Sequence, residues 1–179
     1  MCRLNPIEAR QIGPEARATL DKLHVDATEI PNFLRVVAKS LAAMRAYAGM
    51  EHALARGQLS AKERKQIALT VAEINGCKYC LIAHSATAKD AALSDEDIRL
   101  ARKAAAADPR ADAMLRFTQA VVLQRGEVKD EELRLARKAG FSESEIIEII
   151  ANIALNIFTN YLNIISQTES DFPLPRTVV

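Results

Sequence analysis

The chain has 179 residues, a formal charge of +1, 49% hydrophobic and 26% charged residues, no Trp and three cysteines. Near-neutral charge offers no basic face for nucleic acid or an anionic membrane, and the hydrophobic share excludes a disordered chain. One domain spanning 1–179 is expected at this length, and three cysteines are too few for a secreted disulfide scaffold.

In chain order, Met1-Cys2-Arg3-Leu4-Asn5-Pro6 is not followed by a continuous apolar stretch, so no secretory leader is read and a cytoplasmic protein is expected. Abundant Ala, few Gly and Pro, and punctuation at helical intervals then predict an all-α chain. Helices are expected at 14–24, 31–39, 41–56, 60–75, 77–91, 94–105, 109–125, 129–139 and 142–168, about nine in all. Three starts carry Ser-x-x-acid capping boxes: Ser60 with Glu63, Ser94 with Asp97, Ser142 with Glu145. Asp108-Pro109 marks a fourth start, with Asp as cap and Pro in the first helical position. Stops are expected at Gly57, Gly76, Gly126 and Gly140, where a left-handed closing residue serves.

The acid-then-base order of 129–138 suits a solvated helix, and Leu115, Phe117, Val121 and Val122 read as core. The run Ile149 to Ile165 is too short for a bilayer and is broken by asparagines, so a core helix is expected. Asn152, Asn156 and Asn160 recur every four residues there; the first expectation is helix packing or assembly, the second a substrate-lining role. His24 and His52 read as surface or capping residues, and the tail 169–179, with Pro173 and Pro175, as an extended arm on a neighbouring surface.

One segment, Glu73-Ile74-Asn75-Gly76-Cys77-Lys78-Tyr79-Cys80-Leu81-Ile82-Ala83-His84, carries chemistry. At 100° per residue Cys77, Cys80 and His84 fall within about 60° of one helix face. Asn75-Gly76 ends one helix, so Cys77 opens the next, and its free N–H groups and dipole favour a thiolate in the first turn. A histidine one turn on can take the thiol proton or, when charged, hold the anion; the second thiol can condense with a sulfenic acid on the first. A redox dithiol is the leading reading, ahead of a zinc site, which lacks a local fourth ligand unless Cys2 folds over, and of buried structural cysteines.

These residues, together with Leu59-Ser60-Ala61-Lys62-Glu63-Arg64, Ile67-Ala68-Leu69, Ile30-Pro31-Asn32-Phe33 and Phe158-Thr159-Asn160-Tyr161, resemble the alkylhydroperoxidase AhpD and carboxymuconolactone decarboxylase-like family, with its core motif at 59–91. The resemblance implies an AhpD-like helical fold assembling as a homo-oligomer, trimer or hexamer. It implies a thiol-dependent hydroperoxidase in which Cys80 attacks a small hydroperoxide, Cys77 resolves it, and His84 joins a proton relay with a glutamate. A dithiol reductant such as a lipoyl group would regenerate the pair, and no metal or other cofactor is implied. Alternatives are a redox sensor without turnover, a zinc module, or a lactone decarboxylase.

Two positions depart from the family pattern. The relay glutamate stands twelve residues before the first cysteine, and that position is Lys65; the histidine found between the cysteines of one family type is Tyr79. Glu73, one turn before Cys77, is expected to substitute as an orienting acid reaching the thiols or His84. Glu63 is explained by its cap, and Lys65 reads as surface or as a charge favouring thiolate.

Overall fold

The computed structural model describes residues 2–23, 25 and 29–175, so His24 and Arg176 lie outside the described residues. Among the described residues there is no strand. The helices are α1 (Pro14–Lys22), α2 (Asn32–Val37), α3 (Leu41–Leu54), α4 (Ala61–Ile74), α5 (Lys78–Ala86), α6 (Asp95–Arg102), α7 (Pro109–Leu123), α8 (Asp130–Lys138) and α9 (Glu143–Ser166), as the all-α reading expected. Two short 3-10 turns, Ala9–Gln11 and Ala88–Ala91, were not foreseen. The second replaces the end of the helix expected over 77–91: α5 stops at Ala86, and Thr87 folds its hydroxyl back onto the Ala83 carbonyl at 2.9 Å.

The three capping boxes form as read, each serine oxygen accepting from the acid's backbone N–H. Asp108 likewise accepts from the Ala111 N–H. Two of the capping acids do more. Glu63 at the start of α4 and Glu145 at the start of α9 both pair with the guanidinium of Arg110 on α7, which stacks 3.8 Å over the Phe141 ring. One arginine therefore clamps the N-termini of two helices, where carboxylates already complement the dipole.

Gly76, Gly126 and Gly140 close their helices with positive φ, as expected of glycine there. Gly57 does not: its φ is not in the left-handed region, and glycine is needed for space instead. The Glu148 carboxylate lies where a Cβ would stand, accepting from the Gln58 and Leu59 N–H groups at 2.8 and 3.2 Å. Long-range approach from α9, invisible in local sequence, took the place of a local terminator.

Helix α4 is the centre of the molecule, packing against α5, α6, α7 and α9, with every residue from Gln66 to Ala72 buried. It separates two apolar clusters. One, including Ile67, Leu69, Met114, Leu115 and Ile149, fills the space among α4, α6, α7, α8 and the first half of α9. The other, including Leu20, Phe33, Val37, Met44, Ala72, Cys77 and Cys80, lies among α1, α2, α3 and α5. Helix α9 is long and apolar enough by composition to cross a bilayer, but half of its most apolar window is buried inside the fold, as a core helix requires. Its outer face leaves Ile147, Ile150, Phe158, Tyr161 and Ile165 exposed.

Candidate active site

Gly76, at φ +66°, turns the chain out of α4, and its N–H and that of Cys77 bond back to Glu73 and Ala72 carbonyls at 3.0 and 2.9 Å. The chain re-enters a helix at once, with Cys77 as the N-cap of α5: its sulfur accepts from the Cys80 N–H at 3.3 Å. Sulfur thus does at α5 what serine oxygen does at α4, α6 and α9. Cys77 and Cys80 form a disulfide with Cα atoms 5.3 Å apart. Both are nearly buried, at 1% and 3% exposed, yet they are not equivalent. Cys80 lines a cavity of about 430 Å³, and Cys77 does not.

That cavity lies among α3, α4, α5 and α9. Phe33, Leu34, Tyr47 and Leu155 form apolar wall, while His84, Lys65, Glu51 and three α9 asparagines bring polar groups. His84 keeps some accessible area, but it is cavity wall, with protein packed around the ring. Burial, reinforced by the nearby Lys65 ammonium and opposed by a hydrogen bond with the Asn156 side chain, pushes its pKa down to about 3. It is a neutral imidazole at ordinary pH, able to accept a proton but carrying no charge to hold a thiolate.

The asparagine stripe divides. Asn152, Asn156 and Asn163 face the cavity, and the Asn163 Nδ2 donates to the Cys80 sulfur at 3.5 Å. The Asn163 Oδ1 is buried with no hydrogen-bond partner. Asn160 instead accepts from Asn75 at 3.0 Å and ties α9 to the end of α4. Of the expected stripe, Asn152 and Asn156 therefore line the cavity, while Asn160 makes the helix-packing bond that was the first expectation.

Glu73 is not where the sequence reading expected it. Its carboxylate pairs with Arg102 of α6 at 2.6 Å and is not among the cavity-lining groups. Lys65 lines the cavity, and its Nζ donates to the Thr87 hydroxyl at 2.9 Å. Two turns of helix separate these positions, and the face they occupy, not their distance from Cys77 in sequence, decides which meets the thiols. His52 is exposed, as expected.

The tail folds back on its own chain. Asp171 accepts from the Tyr79 hydroxyl at 2.9 Å and from the Asn32 N–H at 2.7 Å, and Phe172 packs edge-on against Tyr79, with centroids 6.0 Å apart. Phe172 also lines the cavity. Burial, with Asp171 alongside, raises the Tyr79 pKa well above its usual value, so it remains a donor. The residue between the two cysteines is therefore the anchor of the arm. At the other terminus, the Cys2 thiol donates to the Ser166 carbonyl at 3.0 Å. Among the described residues, no three His, Cys, Asp or Glu side chains gather as a metal site would need.

The profile of the Carboxymuconolactone decarboxylase family matches residues 40–122, which contain α3 to α7 and the whole cysteine motif. Residues 40–122 are thus similar to that family. The motifs at Ile30–Phe33 and Phe158–Tyr161 lie outside that stretch. The chain as a whole has the AhpD-like fold. It is similar to an alkylhydroperoxidase AhpD core, a peroxidase-related protein from Ralstonia eutropha, at 23% identity and TM-score 0.84, covering 95% of this chain and 92% of that one. It is similar to a peroxidase-related protein from Silicibacter sp. at 22% identity and TM-score 0.79, covering 93% and 91%. A debrominase in complex with 2,3,4-tribromopyrrole shares the fold at 20% identity and TM-score 0.75, covering 98% and 92%. No curated protein sequence matches. Solved proteins that share the fold thus include peroxidase-related proteins and a debrominase.

Proposed function

We propose that the protein is a thiol-dependent hydroperoxidase that cycles through the Cys77–Cys80 disulfide. One observation carries the reading: of two cysteines close enough to bond, only Cys80 faces the cavity, and it shares that cavity with a neutral His84. In the reduced protein His84 takes the Cys80 proton, and the start of α5 supports the thiolate. The thiolate attacks the outer oxygen of a hydroperoxide and becomes a sulfenic acid; Cys77, capping the helix beneath, displaces water from it and closes the disulfide. The cavity admits a small organic dithiol such as a lipoyl group as reductant. The homo-oligomer and cytoplasmic location expected from the sequence belong to the same proposal, with the exposed apolar face of α9 in support.

The test is hydroperoxide consumption with dithiothreitol as reductant. The parent consumes peroxide, Cys80→Ser falls to the uncatalysed rate, and stoichiometric peroxide removes two thiols, mapped to the 77–80 peptide. Turnover by Cys80→Ser at the parental rate overturns the proposal. A second reading draws on the aromatic rings at the cavity, Phe33, Tyr47, Tyr79 and Phe172, which suit a flat aryl halide such as the neighbouring debrominase holds. There Cys80 would take the halogen and Cys77 would expel halide; bromide release from a bromopyrrole without peroxide consumption would favour it.

A further inference from the structure

Lys65 inverts the charge at the position where the resemblance places a relay glutamate, and it does so inside the cavity that holds Cys80 and His84. Its surroundings decide what it can do. Glu51 of α3 and Asp90 of the 3-10 turn lie within electrostatic reach, as does Arg64 of its own helix. The Tyr47 and Tyr79 hydroxyls, whose pKa values burial raises, the neutral His84 ring and Cys80 are the other titratable groups on the lining. Arg64, also on the lining, donates from its guanidinium to the Leu59 carbonyl at 2.6 Å.

Thr87 receives Lys65 and gives its own hydrogen to the Ala83 carbonyl, so it is a fixed anchor with no proton to pass. An ammonium has three hydrogens, and Thr87 occupies one. Burial weakens the hold of Lys65 on its proton, against the opposing pull of Glu51 and Asp90. His84 is equally constrained. One Nδ2 hydrogen of Asn156 goes to the Asn152 carbonyl at 2.8 Å, and its hydrogen bond with His84 favours the protonated ring, so a ring N–H donates to the Asn156 Oδ1. The other ring nitrogen is then a bare acceptor.

We propose, resting on the hydroperoxidase reading, that Lys65 donates the proton to the oxygen that leaves when Cys80 attacks, and recovers a proton from the Cys80 thiol through His84. In the reduced resting state one proton is shared: the Cys80 thiol with a Lys65 amine, or the thiolate with a Lys65 ammonium, the bare His84 nitrogen carrying it between them. On attack, the sulfur–oxygen bond forms and the oxygen–oxygen bond breaks. The hydroxyl stays on Cys80, and the departing alkoxide takes the Lys65 proton and leaves as alcohol. Cys77 then supplies its own hydrogen to the sulfenic hydroxyl, which leaves as water. Lys65 is an amine at that stage, and it is recharged when a dithiol reduces the disulfide and Cys80 is again a thiol. A glutamate would reach the same end from the opposite charge, so the inversion at this position changes the electrostatics and not the proton count.

The test compares leaving groups that need a proton with one that does not. Parent, Lys65→Met and Lys65→Arg are assayed with tert-butyl hydroperoxide and with peracetic acid, whose acetate leaves unprotonated, using dithiothreitol as reductant. General acid catalysis contributes about 100-fold or more. Lys65→Met is expected to lose that factor with the alkyl hydroperoxide and less than about tenfold with the peracid. Lys65→Arg, which keeps the charge but not a transferable proton, is expected to follow Lys65→Met. Equal losses on both oxidants, or parental rates in Lys65→Arg, overturn the role of Lys65. A parent inert to both oxidants sinks the hydroperoxidase reading itself. A peroxide-free arm follows the pH profile of Cys80 alkylation by iodoacetamide in the reduced protein: Lys65→Met shifts it to higher pH, and an unshifted profile overturns the shared proton.

Discussion

The two apolar clusters on either side of α4 are built from the same residue types and do different things. Met114, Leu115 and Ile149 are fully buried and line no cavity, and the ions at the margin of their cluster, Arg110 with Glu63 and Glu145, hold helix starts together. Around Phe33, Ala72 and Cys80 the packing leaves about 430 Å³ open, and the ions at its margin, Lys65, Glu51 and Asp90, face the opening. Charge on the first side ties helices together; on the second, burial works against the charge of Lys65. Substitutions that ignore function should separate the two sides.

The largest effect is expected at the filled side. Ile149→Ala removes a fully buried side chain and should cost about 3–4 kcal/mol in urea unfolding. Leu155→Ala, whose side chain is cavity wall, should cost about half that, because it enlarges a space already present, and should instead change the preference among bulky hydroperoxides. Equal costs would erase the distinction. Next, Arg110→Met leaves two capping carboxylates unpaired and should lower stability by about 1–3 kcal/mol, with a matching fall in Tm.

His84 gives a pH-dependent contrast. Its pKa is near 6.5 unfolded and about 3 folded, so between those values the unfolded chain holds the extra proton. The stabilising contribution of neutral His84 is complete above about pH 6.5 and is lost as pH falls toward 3. Parent stability should therefore decline with acid by up to about 1.4 kcal/mol per pH unit more than that of His84→Gln, measured by urea unfolding across that window. The smallest change is expected from Asp171→Asn, which weakens the arm over Tyr79 by less than about 1 kcal/mol and should speed hydrogen exchange at residues 169–175 without moving Tm appreciably.

The legibility of the sequence follows the same division. Every cap on the filled side could be read, because a Ser-x-x-acid box is a local device whose partners stand three residues apart. The Cys77, Cys80 and His84 face was legible for the same reason: one helix carries all three. Glu73 was misplaced, and Lys65 left between two readings, because their fate depends on which face of α4 meets α5 and which meets α6, a matter of helix crossing that spacing along one chain does not encode. Gly57 failed in the same manner, its reason lying 91 residues downstream at Glu148. Of the arm expected over 169–179, Asp171 lies against the chain's own Tyr79, a partner no local pattern names.

That arm has an optical consequence. With no Trp in the chain, near-ultraviolet emission comes from Tyr47, Tyr79 and Tyr161 alone. Tyr79 sits between the two cysteines with its hydroxyl on a carboxylate, and disulfides and carboxylate acceptors both quench phenol fluorescence. Opening the disulfide should brighten it, so the protein carries its own lamp for following the thiol cycle in real time, with no added dye.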